Sequence, residues 1–93
     1  GIFRPDDLIT RQQMILMLHR YTTHVRGNTA FTSNVINRFT DSGRILSSAG
    51  NAMNWGVTHE LIKGDNNMLV PNSHITRAQA VLILYRFHKA MLA

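Results

Sequence analysis

A segment near the start of the chain returns, without a gap, 66 residues later, and a chain that repeats its sequence repeats its structural unit. Phe3-Arg4-Pro5-Asp6-Asp7-Leu8-Ile9-Thr10-Arg11-Gln12-Gln13 aligns with Leu69-Val70-Pro71-Asn72-Ser73-His74-Ile75-Thr76-Arg77-Ala78-Gln79. Further on, Leu16 and Leu82, Leu18 and Leu84, and Arg20 and Arg86 are identical pairs, and Tyr21 aligns with Phe87. The first copy lacks the residues that precede the second, so the chain carries about one and a half repeats.

Each copy reads as the opening of a helix. Thr10 and Thr76 stand three residues before Gln13 and Gln79, the spacing of a capping box. The hydroxyl accepts an orphan amide hydrogen of the first turn, and the glutamine reaches back to the cap's own N–H. Ile9 with Met14 forms a hydrophobic staple, and Ile75 with Ala80 a weaker one, while Pro5 and Pro71 stop the helices from growing backward. Met14, Leu18, Tyr21 and Val25 share a face, as do Ala80, Leu84, Phe87 and Met91. Ile15, Leu16, Val81 and Leu82 widen these stripes, so the helices are expected to be buried on several sides, as at the centre of a bundle.

The residues between the copies form a different unit. Gly27-Asn28 marks a stop, a short helical stretch is expected around residues 33–37, and Phe39-Thr40-Asp41-Ser42-Gly43 reads as a loop. Ser47 or Ser48 is a cap for a second helix running to about His59. Ala49, Ala52, Met53 and Gly56 give that helix one face of mostly small residues, with Trp55 beside it. Gly64-Asp65-Asn66-Asn67 is a tight turn whose residues tolerate positive φ. The expected fold is all-α: a helical repeat of long central helices and shorter outer helices joined by loops.

Composition bounds the function. Ninety-three residues allow one small domain or a piece of one. Ten Lys and Arg against five Asp and Glu give +5, which favours an anionic partner such as nucleic acid, acidic lipid or acidic polysaccharide. The basic residues are spread along the chain and form no polybasic arm. No apolar run approaches the roughly 20 residues of a membrane span. The absence of cysteine excludes disulfides and thiolate metal sites, and suits either the cytoplasm or the surface of a bacterium that uses few disulfides. A start at Gly1 is read as a processed or excised chain with no signal peptide in view.

The order of these motifs resembles the S-layer homology (SLH) module of bacterial cell-surface proteins. The complete copy reads Phe39-Thr40-Asp41, then Ala52-Met53-Asn54-Trp55-Gly56, then Leu61-Ile62-Lys63-Gly64, and closes with Leu69-Val70-Pro71 and Ile75-Thr76-Arg77-Ala78-Gln79. The half-copy supplies Gly1-Ile2-Phe3-Arg4-Pro5 and Ile9-Thr10-Arg11-Gln12-Gln13. Both copies end in Gln where the family has Glu, Gly56 replaces an alanine, Ser48 stands near a usual aromatic, and Glu60 occupies a position that is often glycine. On this resemblance residues 1–27 are the C-terminal half of one module, residues 28–38 a linker or short helix, and residues 39–93 one complete module.

The resemblance implies a non-catalytic anchor, without cofactor or metal, on the bacterial cell wall or S-layer. Its expected partner is an anionic, pyruvylated secondary cell-wall polysaccharide attached to peptidoglycan, bound in grooves between modules. Arg11 and Arg77, whose planar forks suit carboxylates, are the expected acid contacts. Asp41 would accept sugar hydroxyls or orient an arginine, Trp55 would be a stacking platform, and Gly64, Asp65 and Asn66 would offer backbone donors. Plainer roles stand beside these: Arg77 as a surface charge or the partner of Asp41 or Asp65, Trp55 as core, and Asp41 as a cap or Asx-turn residue. Two long helices do not close a threefold bundle, so self-association or further modules of a parent chain are expected.

Other classes fit less well. A DNA reader needs a polar helix face carrying phosphate and base contacts, and these helices are apolar around most of their circumference. A structural or assembly module of a surface protein that touches no glycan stands as the alternative, because the fold signals are stronger than the ligand signals. His19, His24, His59, His74 and His88 lie at no metal-binding spacing, and His59-Glu60 lacks the second histidine of a zincin motif.

Overall fold

The computed structural model describes residues 9–27 and 33–92. Phe3 and Pro5 of the first copy, and residues 28–32 of the expected linker, lie outside the described residues. Three α-helices order the rest: α1 (Arg11–Arg26), α2 (Gly50–Thr58) and α3 (Arg77–Leu92). Single turns of 3₁₀ helix, Val35–Arg38, Ser42–Arg44 and Ser47–Ala49, lead from α1 into α2. Among the described residues there is no strand, so the fold is all-α, and no helix is long and apolar enough to cross a membrane.

Both capping boxes form. Gln13 N donates to Thr10 Oγ1 at 3.2 Å while Thr10 N donates to Gln13 Oε1 at 2.7 Å. The second copy matches, with Gln79 N to Thr76 Oγ1 at 3.1 Å and Thr76 N to Gln79 Oε1 at 2.9 Å. The cap leaves other amides of α1's first turn to be satisfied, and the segment before α3 takes them: Arg11 N donates to Ser73 O and Gln12 N to Pro71 O, each at 3.0 Å. Ile75 N donates back to Ile9 O at 2.9 Å, so the approaches to the two helices pair antiparallel. At the other end Arg26 donates to the carbonyl of Met91.

The core lies between α1 and the short-helix unit. Met14, Ile15 and Leu18 of α1 pack with Ala52, Met53, Trp55 and Val57 of α2, and Leu61, Ile62 and Leu69 close the far side. Gly56 permits the close approach expected of a small-residue face, since a β-carbon there would meet Ile15 Cγ2 at 2.8 Å. The expected serine cap of α2 is not used. The helix opens instead through the Ser47–Ala49 turn, with Ala49 N bonded to Leu46 O, and Leu46 N is held by the buried Gln12 Oε1.

The expectation of long helices buried on several sides is corrected for α3. Val81, Leu82, Leu84 and Tyr85 of α3 are 45–61% exposed, and Ile83 is its deeply buried residue. Tyr21 and Val25 likewise project beyond the core at the end of α1. The repeat makes the contrast sharp: Ile15 and Leu18 are 0% and 6% exposed, while their equivalents Val81 and Leu84 are 61% and 47% exposed. The same residue positions are covered by a short-helix unit in α1 and uncovered in α3.

Among the described residues four non-glycine residues are left-handed, three of them in two turns. Asn66 and Asn67 have φ of 53° and 62°, and Asp65 and Met68 exchange two backbone bonds around them, as the turn residues imply. At the end of α2, Leu61 N returns to Gly56 O and Glu60 N to Val57 O, a Schellman motif with Glu60 at φ 59° where glycine is unstrained. A side chain in that conformation costs about 1–2 kcal/mol.

Gly64 is fixed by close approach rather than by φ. A β-carbon would stand 2.3 Å from Phe39 Cε1 and 3.1 Å from Met68 O, and Phe39 is itself buried in the core. Gly64→Ala is expected to cost about 1–3 kcal/mol by overpacking. Gly43→Ala, with nothing within 4 Å, is expected to stay within about 0.5 kcal/mol of the parent in thermal melts.

Candidate functional site

The beginning of α1, the residues after α2 and one face of α3 meet around a groove of about 230 Å³ lined by Arg11, Lys63, Gln79 and Arg86 over a floor that includes Leu82 and Ile83. A second groove of about 410 Å³ continues beside it, lined by His59, Glu60, Lys63, Tyr85, Arg86 and Lys89. Lys63 and Arg86 line both, so the two are neighbours around one cationic ridge.

The positions follow from local structure. Gln79, Leu82, Arg86 and Lys89 recur at spacings of three and four, one stripe of a helix. Lys63 follows the Schellman turn that reverses the chain at Glu60. Arg11, at the first position of α1, is half-buried: its Nε donates to Leu69 O at 3.0 Å and Nη2 to Lys63 O at 3.2 Å. Burial first, and the Arg86 cation second, lower the Arg11 pKa, with Asp41 opposing them. The guanidinium stays charged at neutral pH. Two cations that repel each other across a partly desolvated groove form a place where an anion is favoured.

The expected site residues divide. Arg11 lines the groove, although part of its fork is spent on loop carbonyls. Arg77 is exposed at the first position of α3 and is not among the lining residues of that groove. Trp55 as a platform is corrected: it is 3% exposed, packed among the rings of His19, His59 and Phe87 at 5.1, 5.8 and 6.2 Å, and has no free face. Gly64, Asp65 and Asn66 are exposed, but the Asp65 N–H is consumed by Met68 O within the turn.

Asp41 as a ligand acceptor is corrected too. It is buried, and its two oxygens accept Leu69 N at 2.9 Å and Val70 N at 2.8 Å. That clamp holds Val70 at φ 48°, a conformation a β-branched residue seldom adopts. Burial alone would raise the carboxyl pKa, but the Leu69 and Val70 amides, its own amide and the Arg44 cation outweigh it and hold the pKa below the usual value.

Sequence reasoning missed Lys63, Arg86 and Lys89. The signals were present: Arg20 and Arg86 are an identical pair in the repeat, and Arg86 and Lys89 share a helix face although the chain as a whole shows no basic stripe. Among the described residues no three His, Asp or Glu side chains gather at a metal-binding distance.

The lowered Asp41 pKa fixes the sign of a pH effect. Its stabilisation is complete above the unfolded value of about 4 and disappears as pH falls through the lower folded value. Asp41→Asn is expected to lose about 1–3 kcal/mol at neutral pH, because one buried amide loses its acceptor. Urea titrations between neutrality and the acid limb are expected to find the gap between parent and variant narrowing once the parent carboxyl protonates.

No curated protein and no solved structure gives a significant match to the chain. One family model does match, that of the S-layer homology domain, over residues 38–81. The matched segment runs from the residue before Phe39 to the first turns of α3, and contains Asp41, Trp55, Lys63 and Arg77. S-layer homology domains form a non-catalytic family that anchors proteins at the cell surface, typically to cell-wall polymers. Over residues 38–81, a little under half of its length, the chain is thus similar to the S-layer homology domain.

Proposed function

We propose that the chain is an extracellular anchoring module that binds an anionic, pyruvylated secondary cell-wall polysaccharide attached to peptidoglycan, in grooves between its helical units. The observation that carries this reading is the convergence of Arg11, Lys63 and Arg86 on one groove with no carboxylate among the described residues of its lining. A single exposed ion pair at 4 Å is worth about 1 kcal/mol in water and about 4 kcal/mol at the effective dielectric of a protein surface. Three cations around a partly enclosed floor therefore hold a carboxylate far better than a scattered basic surface does. Guanidinium groups add planar, two-bond geometry.

In this reading residues 1–27 complete an earlier module, residues 28–38 connect, and residues 39–93 form the next. Arg77 then serves, against a further module, the place that Arg11 serves here. The uncovered face of α3 favours that assembly, because the equivalent face of α1 is already packed on a short-helix unit. Further modules of a parent chain, or copies of this one, would cover it. A purely structural role is the second reading, favoured by that same apolar face.

Co-sedimentation with cell-wall sacculi tests the first reading. The parent chain is expected to be retained on intact sacculi and released when the acid-labile glycan is stripped. Lys63→Ala with Arg86→Ala is expected to weaken retention about tenfold or more at unchanged helicity, the loss of a charge-assisted contact. Arg11→Ala is a poorer probe, since it also frees the Leu69 and Lys63 carbonyls. Full retention of the double variant, or equal retention on stripped sacculi, overturns polysaccharide binding through this groove. For the apolar face, sedimentation velocity is expected to give concentration-dependent association that Leu84→Glu suppresses, and a monomer at every concentration counts against self-association.

A further inference from the structure

Glu60 carries two penalties at one position. Its backbone is left-handed, at φ 59°, in a C-terminal helix turn where glycine would fit without strain. Its carboxylate also lines the larger groove beside Lys63, Arg86 and Lys89, where a negative charge weakens attraction for any simple anion. The same residue lines the adjoining groove with Arg38, Val57 and Lys63. Neither helix termination nor packing calls for a carboxylate: the side chain is exposed, and the Schellman bonds are made by backbone atoms. Strained residues at a groove are commonly retained for what they contact.

We propose that Glu60 is a specificity-determining residue, accepting hydrogen bonds from hydroxyl groups of a sugar whose own carboxylate is held by Lys63 and Arg86. This inference rests on the anion-binding reading of the neighbouring groove. The lining supplies the complement of an acidic sugar: two cations for its acid group, one carboxylate for its hydroxyl donors, and the exposed ring of Tyr85, with Lys89 Nζ 5.9 Å from that ring's centroid, as an apolar wall. An acid without hydroxyls gains nothing from Glu60 and is repelled by it. A hydroxylated acid recovers the loss, because hydrogen bonds to a charged acceptor are the stronger kind. The groove thus selects for hydroxyls next to an acid rather than for charge alone.

The test uses the full chain and two probes of equal charge, glucuronate and cyclohexanecarboxylate, titrated by NMR. The parent is expected to prefer glucuronate by about tenfold, the scale of one hydrogen bond to a charged group. Glu60→Gly is expected to bring that ratio close to one and to strengthen cyclohexanecarboxylate binding, while its melting temperature rises by about 4–8 °C through relief of the turn. Glu60→Gln, which keeps an acceptor oxygen but not the charge, is expected to give an intermediate ratio. An unchanged preference in Glu60→Gly, with parent and variant both binding, overturns the role of Glu60 and leaves the cationic groove standing. No binding of either probe to the parent overturns the groove and this inference with it. A melting temperature that falls in Glu60→Gly overturns the claim that the residue is kept against stability.

Discussion

An isolated helix cannot satisfy the amide hydrogens of its own first turn, and the way α1 meets that requirement organises the molecule. Thr10 caps one amide, while the carbonyls of Pro71 and Ser73 accept those of Gln12 and Arg11. Those carbonyls belong to the approach of the second helix, about 60 residues away in sequence. The repeat thereby becomes a contact: the start of one copy is completed by the start of the next. Arg11 and Gln12 extend the join with side-chain bonds to Leu69, Lys63, Asn72 and Leu46. The groove exists because this join brings Arg11 up to α3 and sets Lys63 between them.

Much of the fold was legible because local chemistry specifies it. The two Thr-Gln boxes, the Asn66-Asn67 turn and the small face of α2 each depend on residues a few positions apart. What escaped was long-range. Nothing near Asp41 in sequence says that its oxygens will meet the amides of Leu69 and Val70, and a surface aspartate and a buried clamp look alike on paper. Trp55 lies in a motif that suits a sugar platform equally well as a core, and α1 with Phe87 decides for core. Arg11 and Arg77 are equivalent by repeat but not by environment, because only one has a loop beside it among the described residues.

The site also separates roles that one motif seemed to combine. Phe39, Asp41 and Gly64 build: the ring lies on Gly64, and the carboxylate shapes the turn into α3. Lys63 and Arg86, beside those builders, place their charges on both grooves. Phe39, Asp41 and Gly64 therefore make the scaffold, while Lys63 and Arg86 give the groove its sign. Glu60 fits the same division, since it departs from glycine where the groove is lined and leaves the surrounding backbone bonds intact.

In the proposed anchoring role the chain would bear tension, and the join between Ile9–Gln12 and the segment 71–75 would lie in the path of a pull applied through the chain before Ile9. Because the two segments run antiparallel, a pull between the chain before Ile9 and α3 would meet the Ile75 to Ile9 bond first, and the Arg11 to Ser73 and Gln12 to Pro71 bonds after it. Traction would reach this clasp before it reached the packed interior, so the pairing between the two copies of the repeat would be the first part of the fold to yield.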